Sequence, residues 1–261
     1  MPQPHPQPRL YTDLAWLWPH LSPPDHYTAE AAHLDALLVE HLGPGPHRIL
    51  ELGAGGGHTL VHLDARADRG GRHHTVAADL SPQMLQHAAQ LIPGLETHAA
   101  DMRTMRLSAT DDRGFDAVLI HDAIDYLLTE DDLKQTFDTA RAHLRPGGLL
   151  FVAPTYLKET FEDNEVADDG TTIDGDQLTY FTYVHDPDPS DTTFEMILLY
   201  LIRDLKTRKV QLIEDRHTLG LFAYETWTTL MEQAGFTVQP IDPTEDAAWE
   251  LFLGRKHQKS L

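Results

Sequence analysis

The 261-residue sequence predicts an α/β protein: a mostly parallel sheet flanked by helices, with an antiparallel insertion after the fifth strand. Three observations predict it. Short apolar runs alternate with helical stretches between residues 48 and 153, the pattern of βαβ units. A glycine-rich turn, Gly53-Ala54-Gly55-Gly56-Gly57, joins the first apolar run to the helix after it. The alternation then stops, and runs rich in aromatic and branched residues follow one another through turn-like connections.

The elements follow in order. Residues 1–10 carry alternate prolines from Pro2 to Pro8 and read as a flexible, extended tail. Leu14–Trp18 is a short aromatic, apolar patch. Tyr27–Leu42 reads as a helix, with Ala31, Leu34, Leu38 and Leu42 at helical spacing and Gly43-Pro44-Gly45-Pro46 as its stop. Arg48–Leu52 is the first strand and His58–Ala67 the next helix. Thr75–Leu80 is the second strand; Ser81 then caps a helix that has Pro82 at its first position. Thr97–Met102 and Phe115–His121 are strands three and four. Thr129 caps a helix running to His143, with Asp132 three residues on. Arg145-Pro146-Gly147-Gly148 turns the chain into strand five, Leu149–Ala153. Phe161–Asp176 is acidic and reads as a mobile loop. Gln177–His185, Thr193–Arg203 and Lys209–His217 form a three-stranded antiparallel meander. Glu225–Ala234 is a helix ended by Gly235, and Phe236–Ile241 and Trp249–Arg255 are two closing strands. The organisation expected is a tail at 1–10, a main domain at 11–154 and 218–257, and a lid at 155–217.

Composition narrows function. There are 41 acidic side chains against 20 Lys plus Arg, a formal −21, and no basic stripe to neutralise a phosphate backbone. A nucleic-acid substrate and an anionic membrane surface are disfavoured on the same ground. The absence of cysteine excludes disulfides, zinc–thiolate sites and a thiol nucleophile. The proline-rich start has no basic or apolar segment of a signal peptide, and no apolar run nears the roughly 18 residues of a membrane span, so a cytoplasmic protein is expected. Seventeen histidines prompt a search for metal ligands; His58 and His62 share a helix face, but no metal site is expected. The acidic loop lacks the EF-hand register, and no Gly-x-Ser-x-Gly elbow exists.

The glycine loop carries the chemistry. A dinucleotide loop reads G-x-G-x-x-G, and here His58 occupies the third glycine position. The sequence instead reads Glu51-x-Gly53-x-Gly55-x-Gly57. A carboxylate beside the loop would repel a pyrophosphate and suits an ammonium group. This loop resembles that of the class I S-adenosylmethionine (SAM) methyltransferases, and ordered matches extend from Leu50 to Pro154. The resemblance implies a Rossmann-like, seven-stranded, mostly parallel sheet and SAM as cofactor. It implies that Glu51, Gly53, Ala54, Gly55 and Gly57 take the methionine end and Asp79 the ribose. Asp101 and Met102 would meet the adenine, with Leu80, Met84 and Met102 as apolar walls. His121-Asp122-Ala123 stands where the family presents its reactive edge, and Arg145–Gly148 is similar to the family's turn into strand five.

A narrower resemblance is to small-molecule N-methyltransferases, including enzymes that dimethylate amino groups of nucleotide-linked deoxysugars. It rests on Tyr11-Thr12-Asp13-Leu14, on Asp25 to Ala31, on Ala100 to Thr104 and on Glu214 to Phe222. The Asn/Asp-Pro-Pro-Tyr/Phe motif of base- and glutamine-modifying members is absent after strand four, and His121, Asp122 and Asp125 depart from the sugar enzymes' Ser/Gly-rich run. The expected reaction is in-line methyl transfer to a small acceptor, at an amine nitrogen rather than a hydroxyl. His121 is a candidate base and Asp122 a candidate ammonium ligand. Tyr11 and Tyr27 are candidates to line the sulfonium pocket together with His121, and Tyr180, Arg216 and His217 to contact the acceptor. The alternatives are a nicotinamide-dependent oxidoreductase and a non-catalytic SAM-binding protein. A homodimer could form through the exposed meander edge.

Overall fold

The computed structural model describes residues 7–65, 73–107, 113–241 and 250–258. Strands β1 (Arg48–Leu52), β2 (His74–Asp79), β3 (Glu96–Ala99), β4 (Phe115–His121), β5 (Leu144–Ala153), β10 (Phe236–Ile241) and β11 (Leu251–Lys256) form one seven-stranded sheet in the order β10-β11-β5-β4-β1-β2-β3. The pairs β1–β2, β2–β3, β1–β4 and β4–β5 are parallel; β11 runs antiparallel to β5 and to β10. The strand order reverses between β1 and β4. That reversal opens a crevice at the carboxyl ends of those strands, the usual ligand site of an open α/β sheet.

The parallel strands are apolar on both faces because both faces are covered. Ile49, Ala77, Leu119 and Phe151 pack with Leu34, Leu38, Leu60 and Leu63 of helices α2 (Thr28–Leu42) and α3 (His58–Asp64), and with Leu85 of α4 (Pro82–Leu91). Leu50, Val76, Val118 and Ile120 face the other way, onto Leu133 and Phe137 of α5 (Glu130–His143) and Trp227 and Met231 of α6 (Tyr224–Gln233). The expected caps are present. Ser81 Oγ accepts from the Met84 amide and Thr129 Oγ1 from the Asp132 amide, each worth about 1 kcal/mol.

The insertion differs from expectation. It is a separate four-stranded antiparallel sheet, not three-stranded: β6 (Glu165–Ile173), β7 (Asp176–His185), β8 (Thr193–Arg203) and β9 (Val210–Gly220). The acidic stretch expected as a mobile loop supplies β6. Its side chains are mostly exposed, so no apolar alternation marks it, and its ladder to β7 holds it in place. A hairpin signal was nevertheless present: Asp174-Gly175, both at positive φ, make the two-residue turn that pairs Ile173 with Asp176.

One face of this sheet is covered by the N-terminal segment. Leu10, Leu14 and Leu17 pack on Leu178, Leu198, Tyr200 and Ile213; Trp18, at the start of the one-turn helix α1 (Trp18–Leu21), joins them. Packed, hydrogen-bonded residues therefore fall within the stretch read as a tail. Leu10 is 5% exposed, and the Arg9 and Leu10 amides both donate to the Asp215 carboxylate of β9, at 3.1 and 2.7 Å. Residues 1–6 and Trp249 lie outside the described residues.

Candidate functional site

A cavity of about 700 Å³ opens at the carboxyl ends of β1, β2 and β4, roofed by the N-terminal segment and the end of β9. The loop after β1 forms its floor. At Gly53, which sits at φ +75°, an added Cβ would lie 2.2 Å from the Ala123 Cβ, so only glycine allows this loop to pass under the end of β4. The Gly53 and Ala54 amides donate to the Ala78 carbonyl at 2.7 and 3.0 Å. Gly55 N–H donates to Asp79 Oδ2 at 2.8 Å and Ser81 N–H to Asp79 Oδ1 at 2.7 Å. Asp79 thus staples the loop to β2. Burial raises its pKa despite those bonds.

Glu51 stands at the end of β1, 4% exposed, and lines the cavity. Its Oε2 is buried without a hydrogen-bond partner. Burial drives its pKa well up, and the nearby charges of Glu30, Asp79 and Asp122 drive it further. Burial likewise lifts Glu30 to about 7, with His121 opposing and Asp122 reinforcing the shift. Asp125, 2% exposed, is lifted to about 7 in the same way; its Oδ2 accepts from the Thr155 amide at 2.9 Å while its Oδ1 has no partner. A buried carboxylate without a cation is costly. Such a group facing a cavity is chemically matched to an incoming positive charge.

His121 ends β4 between two carboxylates, with Nε2 3.3 Å from Glu30 Oε2 and Nδ1 3.4 Å from Asp122 Oδ2. Asp122 is held at φ 43°, ψ −45°, a strained conformation for a non-glycine residue. Its amide donates to the Ala153 carbonyl at 2.9 Å, which fixes the turn, and its side chain is half exposed at the cavity.

An aromatic wall faces these acids. Tyr11, Trp18, Tyr27 and Tyr126 all line the cavity. The Tyr27 ring meets His121 edge-on at 6.2 Å and His58 edge-on at 5.5 Å, and Trp18 stacks on His58 at 5.8 Å. Burial lowers His58 to about 4, so that imidazole is neutral. Trp18 also comes so close over Gly56 that a Cβ there would meet it at 2.9 Å. Tyr126 O–H donates to Tyr11 Oη at 2.9 Å and bonds His217 Nδ1 at 2.7 Å; His217 Nε2 reaches Asp215 Oδ2 at 3.0 Å. This chain ties strand β9 to the wall of the cavity.

Across the cavity, Asp101 is gripped by Arg103, with Nε to Oδ1 at 3.0 Å and Nη2 to Oδ2 at 2.7 Å. Arg103 Nη1 continues to Asp132 at 2.8 Å. Burial pushes Asp101 up, but the Arg103 side chain and amide together outweigh it and hold it below the usual carboxylate value. Among the residues singled out from sequence, Tyr11, Tyr27, Glu51, Gly53, Ala54, Gly55, Asp79, Leu80, Asp101, Met102, His121, Asp122 and Arg216 converge on this cavity. Met84 is fully buried behind the loop, and Gly57 packs toward Ala88. Neither lines the wall.

Two residues of the insertion singled out from sequence lie outside this wall. Tyr180 packs with the N-terminal segment and reaches Asp169 at 3.5 Å. His217 is 2% exposed, held between Asp215 and Tyr126. Neither is among the cavity-lining residues. Sequence reasoning missed Trp18, Tyr126, Asp131, Asp132, Gln135 and Thr218 in the wall. Trp18 sat in the aromatic patch already noted, and alternation along β9 puts Arg216 and Thr218 on the face opposite His217. His62, the other half of the candidate metal pair, bonds the Pro24 carbonyl at 2.8 Å. Among the described residues no helix is long and apolar enough to cross a membrane.

Comparison with known proteins agrees with this geometry. Residues 49–148 match a family model described as a methyltransferase domain. The chain is 29% identical over 217 residues to the dTDP-3-amino-3,4,6-trideoxy-alpha-D-glucopyranose N,N-dimethyltransferase of Streptomyces venezuelae, covering 83% of this chain and 86% of the relative. Among solved structures it is similar to Streptomyces venezuelae DesVI, with a TM-score of 0.78, 26% identity and 94% and 98% of the two chains covered. It is also similar to SAM-bound CalS10, an amino pentose methyltransferase from Micromonospora echinaspora, with a TM-score of 0.74, 25% identity and 88% and 91% covered.

Proposed function

The protein is a SAM-dependent methyltransferase of the Rossmann-like class, and from that premise we propose that it methylates an amine nitrogen of a small molecule by in-line displacement. The observation that carries the reading is Glu51: a buried carboxylate with an unpartnered oxygen, facing a cavity walled by carboxylates and aromatic rings. Such a wall suits a ligand with an ammonium group at one end and a sulfonium at its centre. Glu51 would hold the ammonium. Asp79 would take the ribose hydroxyls, since it lines the cavity at the end of β2 and its two oxygens keep acceptor capacity beyond the amides they hold. Leu80, Met102 and Asp101 would enclose the adenine; Met84 and Gly57 would support the loop from behind. Tyr11 and Tyr27 would present their faces to the positive charge. When bound, SAM supplies an electrophilic methyl group.

The chain's own residues then do three things. The cavity aligns the acceptor. Asp122 holds its ammonium form at the end of β4. His121 Nδ1, 3.4 Å from Asp122 Oδ2, takes the proton that must leave before the nitrogen lone pair can attack, and Glu30 at Nε2 steadies the imidazolium formed. Residues 155–217 act as the lid. The names of the relatives support nitrogen over oxygen, and the formal charge of −21 supports a small acceptor over a polynucleotide.

Calorimetric titration with SAM, S-adenosylhomocysteine and NAD tests the cofactor half. Saturable binding of the first two is expected, with Glu51→Gln weakening S-adenosylhomocysteine by about tenfold or more for loss of a charged hydrogen bond. Binding of NAD alone would overturn the reading.

A further inference from the structure

Building on the methyl-transfer reading, we infer that the acceptor is a cationic amine presented without a nucleoside-diphosphate carrier. Outside the residues given to the cofactor, three carboxylates line the cavity, Asp122, Asp131 and Asp132, against two guanidinium groups, Arg103 and Arg216. Among the described residues of that wall there is no lysine.

Both guanidinium groups already face acids. Arg103 forks onto Asp101 and extends to Asp132, so this cluster keeps a surplus negative charge. Arg216 meets Glu214 at 2.5 Å and Glu195 at 3.8 Å, again one cation for two acids. The amino end of α5 offers about half a positive charge, but its first turn carries Glu130, Asp131 and Asp132. The glycine-loop amides that could cradle a phosphate are turned inward, Gly53 and Ala54 to the Ala78 carbonyl and Gly55 to Asp79.

Phosphate recognition needs forked arginines, lysines or free amides. A diphosphate here would add charge to a wall already in acidic surplus. An amine meets the opposite setting: exposed Asp122 and Asp131 in a wall that also carries the rings of Tyr11 and Tyr126. This sets the protein apart from the relatives whose names carry a dTDP-linked sugar. Its acceptor is an amino compound, such as an aminosugar on a neutral aglycone, that bears no phosphate.

The test uses the full-length protein saturated with S-adenosylhomocysteine and titrated at low ionic strength with two probes. One is thymidine diphosphate; the other is an aminoglycoside, an oligosaccharide rich in amines and free of phosphate. The aminoglycoside should bind saturably, and the double variant Asp122→Asn, Asp131→Asn should weaken it about tenfold, as should added salt. Arg216→Gln should strengthen it. Thymidine diphosphate should give no saturable heat. Tighter binding of thymidine diphosphate, or no binding of the aminoglycoside, overturns the inference. Because Asp122 and Asp131 are exposed, an unchanged melting temperature and unchanged S-adenosylhomocysteine affinity in the double variant separate lost recognition from misfolding. Failure of the wild type to bind S-adenosylhomocysteine would strike the methyl-transfer reading itself.

Discussion

The two sheets of this molecule are built on different terms. The seven-stranded sheet is apolar and buried on both faces, so its strand ends place Glu51, Asp79 and His121 on a rigid frame. The four-stranded sheet is covered on one face by the N-terminal segment, and its edge strands leave Val166 64% and Leu212 62% exposed. Its link to the cavity is a chain of side-chain hydrogen bonds from Asp215 through His217 and Tyr126 to Tyr11. The β1, β2 and β4 side of the cavity is therefore set by packing, and the β9 side by a latch. A scaffold of this kind can change its acceptor without disturbing its cofactor.

The largest effect should come from the rigid side. Gly53→Ala must both hold a side chain at φ +75° and displace Ala123. A loss of roughly 3 kcal/mol of stability is expected, together with loss of S-adenosylhomocysteine binding. A melting curve and a titration would check it; a variant that melts and binds like wild type would show that the loop is not rigid.

Next come two buried acids behind the site. Glu30 and Asp125 have folded pKa values of about 7, raised above the ordinary unfolded carboxylate value of about 4. A raised folded pKa stabilises the fold below the unfolded pKa, and that contribution is lost as pH rises through the folded one. The ligand-free protein should accordingly lose stability between about pH 4 and pH 7 on account of these groups, and Glu30→Gln should flatten that slope. Chemical denaturation across this range decides it; a slope unchanged in the variant would remove Glu30 from the account.

The latch should respond more locally. Tyr126→Phe keeps the ring and removes two hydrogen bonds, costing about 1–2 kcal/mol. The amides of Arg9 and Leu10 should exchange faster with solvent while those of β1 and β4 do not change. Equal acceleration in both regions would mean that the two halves are one cooperative unit. The smallest effect belongs to the exposed face: Leu212→Thr should shift stability by no more than about 0.5 kcal/mol in thermal unfolding.

Much of this protein was legible in its residues. Phe115–His121, Thr193–Arg203 and Phe236–Ile241 match their expected bounds because β-branched and aromatic runs between turn residues are a local signal. Ser81 and Thr129 cap their helices as their spacing from Met84 and Asp132 requires. The strand β6 escaped because it is held by its ladder to β7 rather than by buried side chains, although Asp174-Gly175 announced its turn.

By itself the sequence determined the order of elements, the glycine loop with Glu51 before it, and Asp79 and His121 at strand ends. Each of these depends on neighbours a few residues away. Only the tertiary structure decided which side chains share the cavity. Whether His217 faces the acceptor or the core depends on the pleat of β9 against a segment more than 200 residues earlier. The same packing brings Tyr11, Trp18 and Tyr126 over the loop and leaves the acids of the wall in surplus. Side-chain direction and net local charge are sums over residues distant in the chain, and no local pattern carries those sums.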